Sequence, residues 1–119
     1  MTTPAVKMVV AYVTAPNRDV AMQLARTTVT EALVACANVI PGVTSVYKWQ
    51  GNVEEDQECV VVLKTVESKV EQLAERVRSL HPAETPCFFT IPIEKITADF
   101  GKWLIDSTTV QENAPIDPS

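Results

Sequence analysis

Two short stretches, Met8 to Val13 and Cys59 to Leu63, are nearly continuous runs of apolar residues. They are rich in valine and short, and they read as β-strands. A sheet with water on one side alternates apolar and polar residues along each strand. These runs do not alternate, so both faces of the strands are expected to be covered. The chain offers two amphipathic helices between its strands, enough for one face only. The second face is expected to pack on another subunit, with a C-terminal helix folded across it as the alternative.

The remaining elements follow from periodicity and punctuation. Val6 to Thr14 reads as the first strand, broken by Pro16-Asn17. Asn17 is a good cap for a helix from Arg18, with Asp19 in its first turn. Val20, Leu24, Ala25, Val29, Ala32 and Leu33 recur at helical spacing. From Ala35 to Gln50 the period changes to two, with Val43, Ser45, Tyr47 and Trp49 on one face. Pro41-Gly42 predicts a kink or bulge inside that strand rather than its end. Gly51-Asn52 predicts a turn into a second long strand carrying Glu58 to Thr65, so the pair reads as a hairpin. Ser68 to Glu71 fits a capping box for a helix holding Val70, Leu73, Ala74 and Val77. His81-Pro82 ends it. Thr85 to Glu94 is a fourth strand, marked as an edge by Pro86 and Pro92. Asp99 or Thr97 can cap a last short helix holding Phe100, Trp103 and Leu104. The order β-α-β-β-α-β plus a helix predicts an α+β fold of the ferredoxin-like split β-α-β kind, with an antiparallel sheet.

The chain has 119 residues and a mass of 13.0 kDa, the size of one domain. We place a loose N-terminus at 1–5, the domain at 6–110 and a flexible tail at 111–119. Ten basic residues face fifteen acidic ones, for a net charge of −5. That balance, with no basic run, excludes binding to nucleic acid phosphates. The longest apolar run is too short to span a membrane, and the first residues do not read as a secretory signal. A cytoplasmic protein without a membrane partner is expected. Cys36, Cys59 and Cys87 make no disulfide framework and read as free thiols in strands.

Few residues carry chemistry. Glu58 and Lys64 are six apart on one strand and share a face with Val60 and Val62. The pair fits cross-strand or intersubunit ion pairing. It equally fits a polar pocket between subunits, walled by Tyr47 and Trp49. His81, the single histidine, is either a helix-end residue bonding a carbonyl or a ligand joining Cys87 or Glu84. No CxxC and no HxxxH occurs, so a structural zinc site is not expected. A nucleophile needs a base and an orienting group, and one histidine beside Cys87 is poor material for that. No enzyme activity is expected. Glu54-Glu55-Asp56 reads as a solvated tip of the hairpin.

Thr14-Ala15-Pro16, Leu33-Val34-Ala35-Cys36-Ala37-Asn38 and the run from Ile40 through Pro41-Gly42, Ser45, Tyr47 and Trp49 to Gly51 resemble the CutA family. Glu58, Lys64-Thr65, His81-Pro82-Ala83-Glu84-Thr85-Pro86, Ile91-Pro92-Ile93 and Trp103-Leu104 continue the resemblance from about Val6 to Val110. It implies a ferredoxin-like homotrimer whose long hairpin strands pair between subunits. It implies a role in divalent-cation tolerance, copper above all, and a trimer shape like that of the PII signalling proteins, which bind small ligands between subunits. The copper ligands proposed for the family are a cysteine before the Thr-x-Pro turn and two adjacent histidines ending the second helix. By position these are Val13, Leu80 and His81, so only His81 keeps a metal-binding side chain. Ala83 stands where the family mostly has an aromatic. The implied cleft draws on Tyr47, Trp49, Glu58, Lys64, His81, Glu84 and Trp103, with copper or another divalent ion as the implied ligand. A PII-like sensor of a small anionic ligand, a protein partner or a scaffold are the other readings.

Overall fold

The computed structural model describes Met1 and residues 3–109 of the chain. Strand β1 spans Met8–Ala15, helix α1 Arg18–Thr30, strand β2 Cys36–Trp49 and strand β3 Asn52–Val66. A 3₁₀ turn at Glu67–Lys69 leads into helix α2, Val70–Leu80, then strand β4, Phe88–Ile93, and helix α3, Ala98–Thr108. The four strands form one antiparallel sheet in the order β2-β3-β1-β4.

Helix α1 begins as its sequence dictates. The Asn17 side chain accepts the Val20 N–H at 2.9 Å, satisfying one of the free donors of the first turn. The helix ends in a left-handed residue, Ala32 at φ 57°. Here the Leu33 N–H bonds the Thr28 carbonyl and the Ala32 N–H bonds the Val29 carbonyl, both at 3.0 Å. That is a Schellman ending with alanine where glycine is usual. Helix α2 departs from expectation. Ser68 lies within the 3₁₀ turn, and Lys69 precedes the helix with no side-chain cap, so the predicted capping box does not form. The Lys7 carbonyl takes the Glu67 N–H instead, tying the turn to the start of β1. Thr97 likewise precedes α3 without capping it through its side chain, and the Asp99 carboxylate accepts the adjacent Phe100 N–H.

One face of the sheet is a sealed core. Ala11, Val13 and Ala15 of β1 and Val61 and Leu63 of β3 are fully buried against Ala21 and Leu24 of α1 and Leu73 and Val77 of α2. Burying each leucine there contributes about 1.5–3 kcal/mol. The opposite face is covered at one end only. There α3 lays Leu104 over Met8 and Val66, with Ile96 beside them. Most of the rest of that face is open: Phe89 and Ile91 are 48% and 49% exposed, Ile40 is 47% exposed, and Tyr12 and Val62 are half-buried, with only Val60 among them buried. The C-terminal helix therefore answers part of the demand made by the two apolar runs and leaves most of it standing.

The β2–β3 hairpin is longer than its sequence predicts at the β3 side, which starts at Asn52. The turn is Gln50-Gly51, one residue earlier than expected, with φ values of 49° and 84°. Two successive positive φ values suit the right-handed twist of the flanking strands. The bulge appears at Pro41-Gly42. Ile40 pairs with Val60 and Val43 with Glu58, so two residues of β2 oppose one of β3. The extra residue switches parity: Cys36, Asn38 and Ile40 share the open face before it, and Val43, Ser45, Tyr47 and Trp49 share it afterwards. Beyond the bulge no residue from Val43 to Gln57 is buried. β4 lies at the sheet edge and is shorter than predicted, leaving Pro86 outside it and Pro92 within it. The tail expected at 111–119 lies outside the described residues.

Candidate functional site

The expected site residues fall into three groups along the sheet. Tyr47 and Trp49 stand near the tip of the hairpin, where Tyr47 pairs with Glu54 and Trp49 with Asn52. Register puts Glu54, Asp56 and Glu58 on the same face as Tyr47. The Tyr47 hydroxyl donates to the Asp56 carboxylate. That hydrogen bond, with burial and the charges of Asp56, Glu54 and Glu58 adding to it, pushes the phenol up to about 12.

Lys64 stands at the other end of β3. At about 3.4 Å per residue it is about 20 Å from Glu58 and further still from Tyr47. Among the described residues neither Glu58 nor Lys64 belongs to an ion pair. Lys64 is half-buried, directly opposite Cys36 in the register, with Nζ 4.0 Å from the Cys36 sulfur. The same ammonium lies 5.9 Å from the centre of the Phe100 ring. Phe100 is stacked on Trp103 one turn along α3, centroids 5.6 Å apart. Trp103 therefore joins the Lys64 end of the sheet.

His81 occupies a third place, at the C-terminal end of α2. Its Nε2 lies 2.7 Å from the Thr14 carbonyl oxygen, and its Nδ1 accepts the Ala83 N–H at 3.0 Å. These partners require a neutral ring with the proton on Nε2. Glu84 is exposed three residues on. Val13 and Leu80 carry no donor atoms, both ring nitrogens of His81 are engaged, and no three His, Cys, Asp or Glu side chains cluster among the described residues. Among the described residues the side chains of one chain gather no copper donor set, since copper takes several nitrogen or sulfur donors. All three cysteines are free, Cys59 buried and the others half-buried.

Sequence reasoning missed three contacts. Phe100 as the partner of Lys64, Cys36 as its cross-strand neighbour and Asp56 as the acceptor for Tyr47 all depend on register or on how α3 crosses the sheet. The i, i+3 spacing of Phe100 and Trp103 was a signal for a ring pair. A groove of about 420 Å³ between α1 and β2, lined by Met22, Ala25, Arg26, Val29, Thr30, Ala37 and Val39, contains none of the expected residues. No helix among the described residues is long and apolar enough to cross a membrane.

Comparison with known proteins agrees with this architecture. A CutA homolog of Xenopus laevis is 48% identical over 81% of the chain, and the chain spans 64% of that relative's length. A CutA protein of Arabidopsis thaliana named as chloroplastic is 40% identical over 87% of the chain, which spans 57% of it. The solved structure of the divalent cation tolerance protein CutA1 of Thermus thermophilus superposes with a TM-score of 0.84. It is 39% identical and covers 86% of this chain and 99% of its own. The family model for the CutA1 divalent ion tolerance proteins matches residues 9–107, and the chain belongs to that family.

Proposed function

We propose that this chain serves divalent-cation tolerance as a cytoplasmic homotrimer of ferredoxin-like subunits, and that its ligand cleft forms between copies rather than inside one. The observation that carries this reading is the dispersal of the site. Tyr47, Trp49 and Glu58 lie on a hairpin arm without a buried residue from Val43 to Gln57, while Lys64 and Trp103 lie at the far end of the same sheet face. A lone two-stranded arm is marginally stable in water. Val46 and Val53, 61% and 69% exposed, lie on its other face, so it gains on both faces from a neighbour. An arm laid on the next copy brings its polar face towards that copy's Lys64, His81 and Glu84. The sheet order and the placing of α1 and α2 on one face support the ferredoxin-like description.

Copper contact in this reading belongs to the assembly. It starts at Nδ1 of His81, because a metal-bound imidazole usually donates its other N–H to a carbonyl, as Nε2 does here to Thr14. The cation exchanges with the Ala83 N–H. The second reading, a PII-like sensor of a small anionic ligand, is favoured by half-buried Lys64, whose ammonium has no carboxylate partner among the described residues.

Native mass measurement at micromolar concentration tests the assembly, and a 13.0 kDa species alone would sink it. Calorimetric titration of chelator-stripped protein with copper tests the cation. A saturable isotherm weakened in His81→Ala supports the first reading. No binding tighter than about 100 μM, a free energy near −5.5 kcal/mol, leaves the anionic ligand as the better one.

A further inference from the structure

We propose that the corner where α3 crosses the open sheet face is a binding subsite for a planar aromatic anion. The inference rests on the reading that the chain binds a small ligand, and it names the chemistry of that ligand.

The corner has a wall, a floor and one charge. The wall is the stacked pair Phe100 and Trp103, 37% and 46% exposed, on the flank of α3 beside its buried residues Gly101 and Leu104. The floor is the open sheet face, where register places Cys36 and Asn38 of β2 opposite Lys64 and Val62 of β3. The charge is the Lys64 ammonium. Lys64 is half-buried and has no acidic partner among the described residues. Here its neighbours are a thiol at 4.0 Å and the Phe100 ring at 5.9 Å, and neither neutralises it. The three ion pairs of the described residues use Lys7, Arg76 and Lys102 instead.

These features select a ligand. An ammonium without a carboxylate partner attracts a carboxylate or phosphate. It repels a metal cation. The exposed aromatic pair offers flat apolar area to a ring that stacks or packs edge-on. An anion without a ring satisfies only the lysine, and a neutral ring satisfies only the wall. A planar ring bearing one anionic group meets both, with the thiol of Cys36 and the amide of Asn38 at its edge.

The test uses the full chain and three probes: 1-naphthoate, its neutral counterpart 1-naphthalenemethanol, and acetate. Calorimetry is expected to show saturable naphthoate binding at one site per chain, with the other two at least about tenfold weaker, a difference of about 1.4 kcal/mol. Lys64→Met is expected to reduce naphthoate affinity about tenfold or more and Lys64→Arg by much less, since arginine keeps the charge. Trp103→Leu is expected to weaken naphthoate and leave acetate unchanged. Equal binding of the neutral probe, or full affinity in a folded Lys64→Met protein, overturns the proposal. Native mass on the same samples separates it from the functional reading. A trimer that ignores naphthoate overturns the corner alone. A monomer that binds it supports the corner and overturns the intersubunit cleft.

Discussion

The His81 imidazole and the Thr14 carbonyl meet at 2.7 Å across 67 residues of sequence. The contact pins the end of α2 to the end of β1, and the same ring holds the Ala83 N–H on its other nitrogen. Replacing His81 by alanine removes both hydrogen bonds and leaves a part-buried carbonyl to find water. The expected loss is about 1–2 kcal/mol of stability, a net hydrogen bond being worth about 1 kcal/mol. Thermal unfolding of His81→Ala measures it. Hydrogen exchange at the Ala83 amide is expected to accelerate in the same variant, and an unchanged rate there would contradict the role given to Nδ1.

Tyr47 gives a prediction in pH. Its phenol is raised from 10.0 to about 12, with the hydrogen bond to Asp56 as the largest cause. A group whose folded value is raised contributes stability below its unfolded value and loses it as pH climbs through the folded one. The contribution is therefore intact below pH 10 and disappears between about pH 10 and 12. Ultraviolet titration of the protein against Tyr47→Phe isolates this residue from Tyr12. The Tyr47 transition is expected near pH 12 and is expected to fall towards 10 in Asp56→Asn.

Two residues sit at positive φ where glycine or asparagine is at less cost: Ala32 at 57° and Gln50 at 49°. Left-handed backbone costs an ordinary residue about 1 kcal/mol or more. Ala32→Gly keeps the Schellman hydrogen bonds of α1 and is expected to gain about 0.5–1 kcal/mol, since the added chain entropy of glycine offsets part of the relief. Gln50→Asn makes the Asn-Gly pair favoured in two-residue hairpin turns and is expected to gain several tenths of a kcal/mol. The sites are distant, so the two gains are expected to add in the double variant. A loss of melting temperature in Ala32→Gly would contradict the strain argument.

Much of this fold was legible in local signals. Asn17 caps α1, Pro41-Gly42 marks the bulge and Pro92 marks β4 as the edge, each through a physical property of one or two residues. Ser68 looked equally clear and was not, because the Glu67 N–H found the Lys7 carbonyl and the first turn wound as a 3₁₀ helix. A tertiary contact outweighed a local one. The site was harder still. Lys64 meets Cys36 only because the hairpin register is what it is, and Tyr47 shares a face with Cys36 of its own strand only because a bulge inserts one residue between them. A single residue more or less would place Tyr47 on the opposite face. Periodicity reads alternation within a strand and carries no count of residues across a bulge.

The open sheet face yields the last prediction. Ile91 pairs with Val10 on β4, and Phe89 stacks on Tyr12 with centroids 5.1 Å apart. Both β4 residues are about half exposed in one chain, since the cluster under α3 at the end of this face does not include them. If copies pack through this face, a charge at Ile91 must be desolvated in the assembly and stays hydrated in the monomer. Ile91→Lys is then expected to shift native mass from three copies towards one while leaving the far-ultraviolet circular dichroism of the subunit intact, because the sealed core under α1 and α2 lies on the other face. Gln72→Lys is the control, adding the same charge at an exposed position of α2, on the helix-covered side of the sheet. Loss of assembly in Ile91→Lys but not in the control identifies the face. Retention of three copies in Ile91→Lys would move the interface away from β4 and onto the hairpin arm alone.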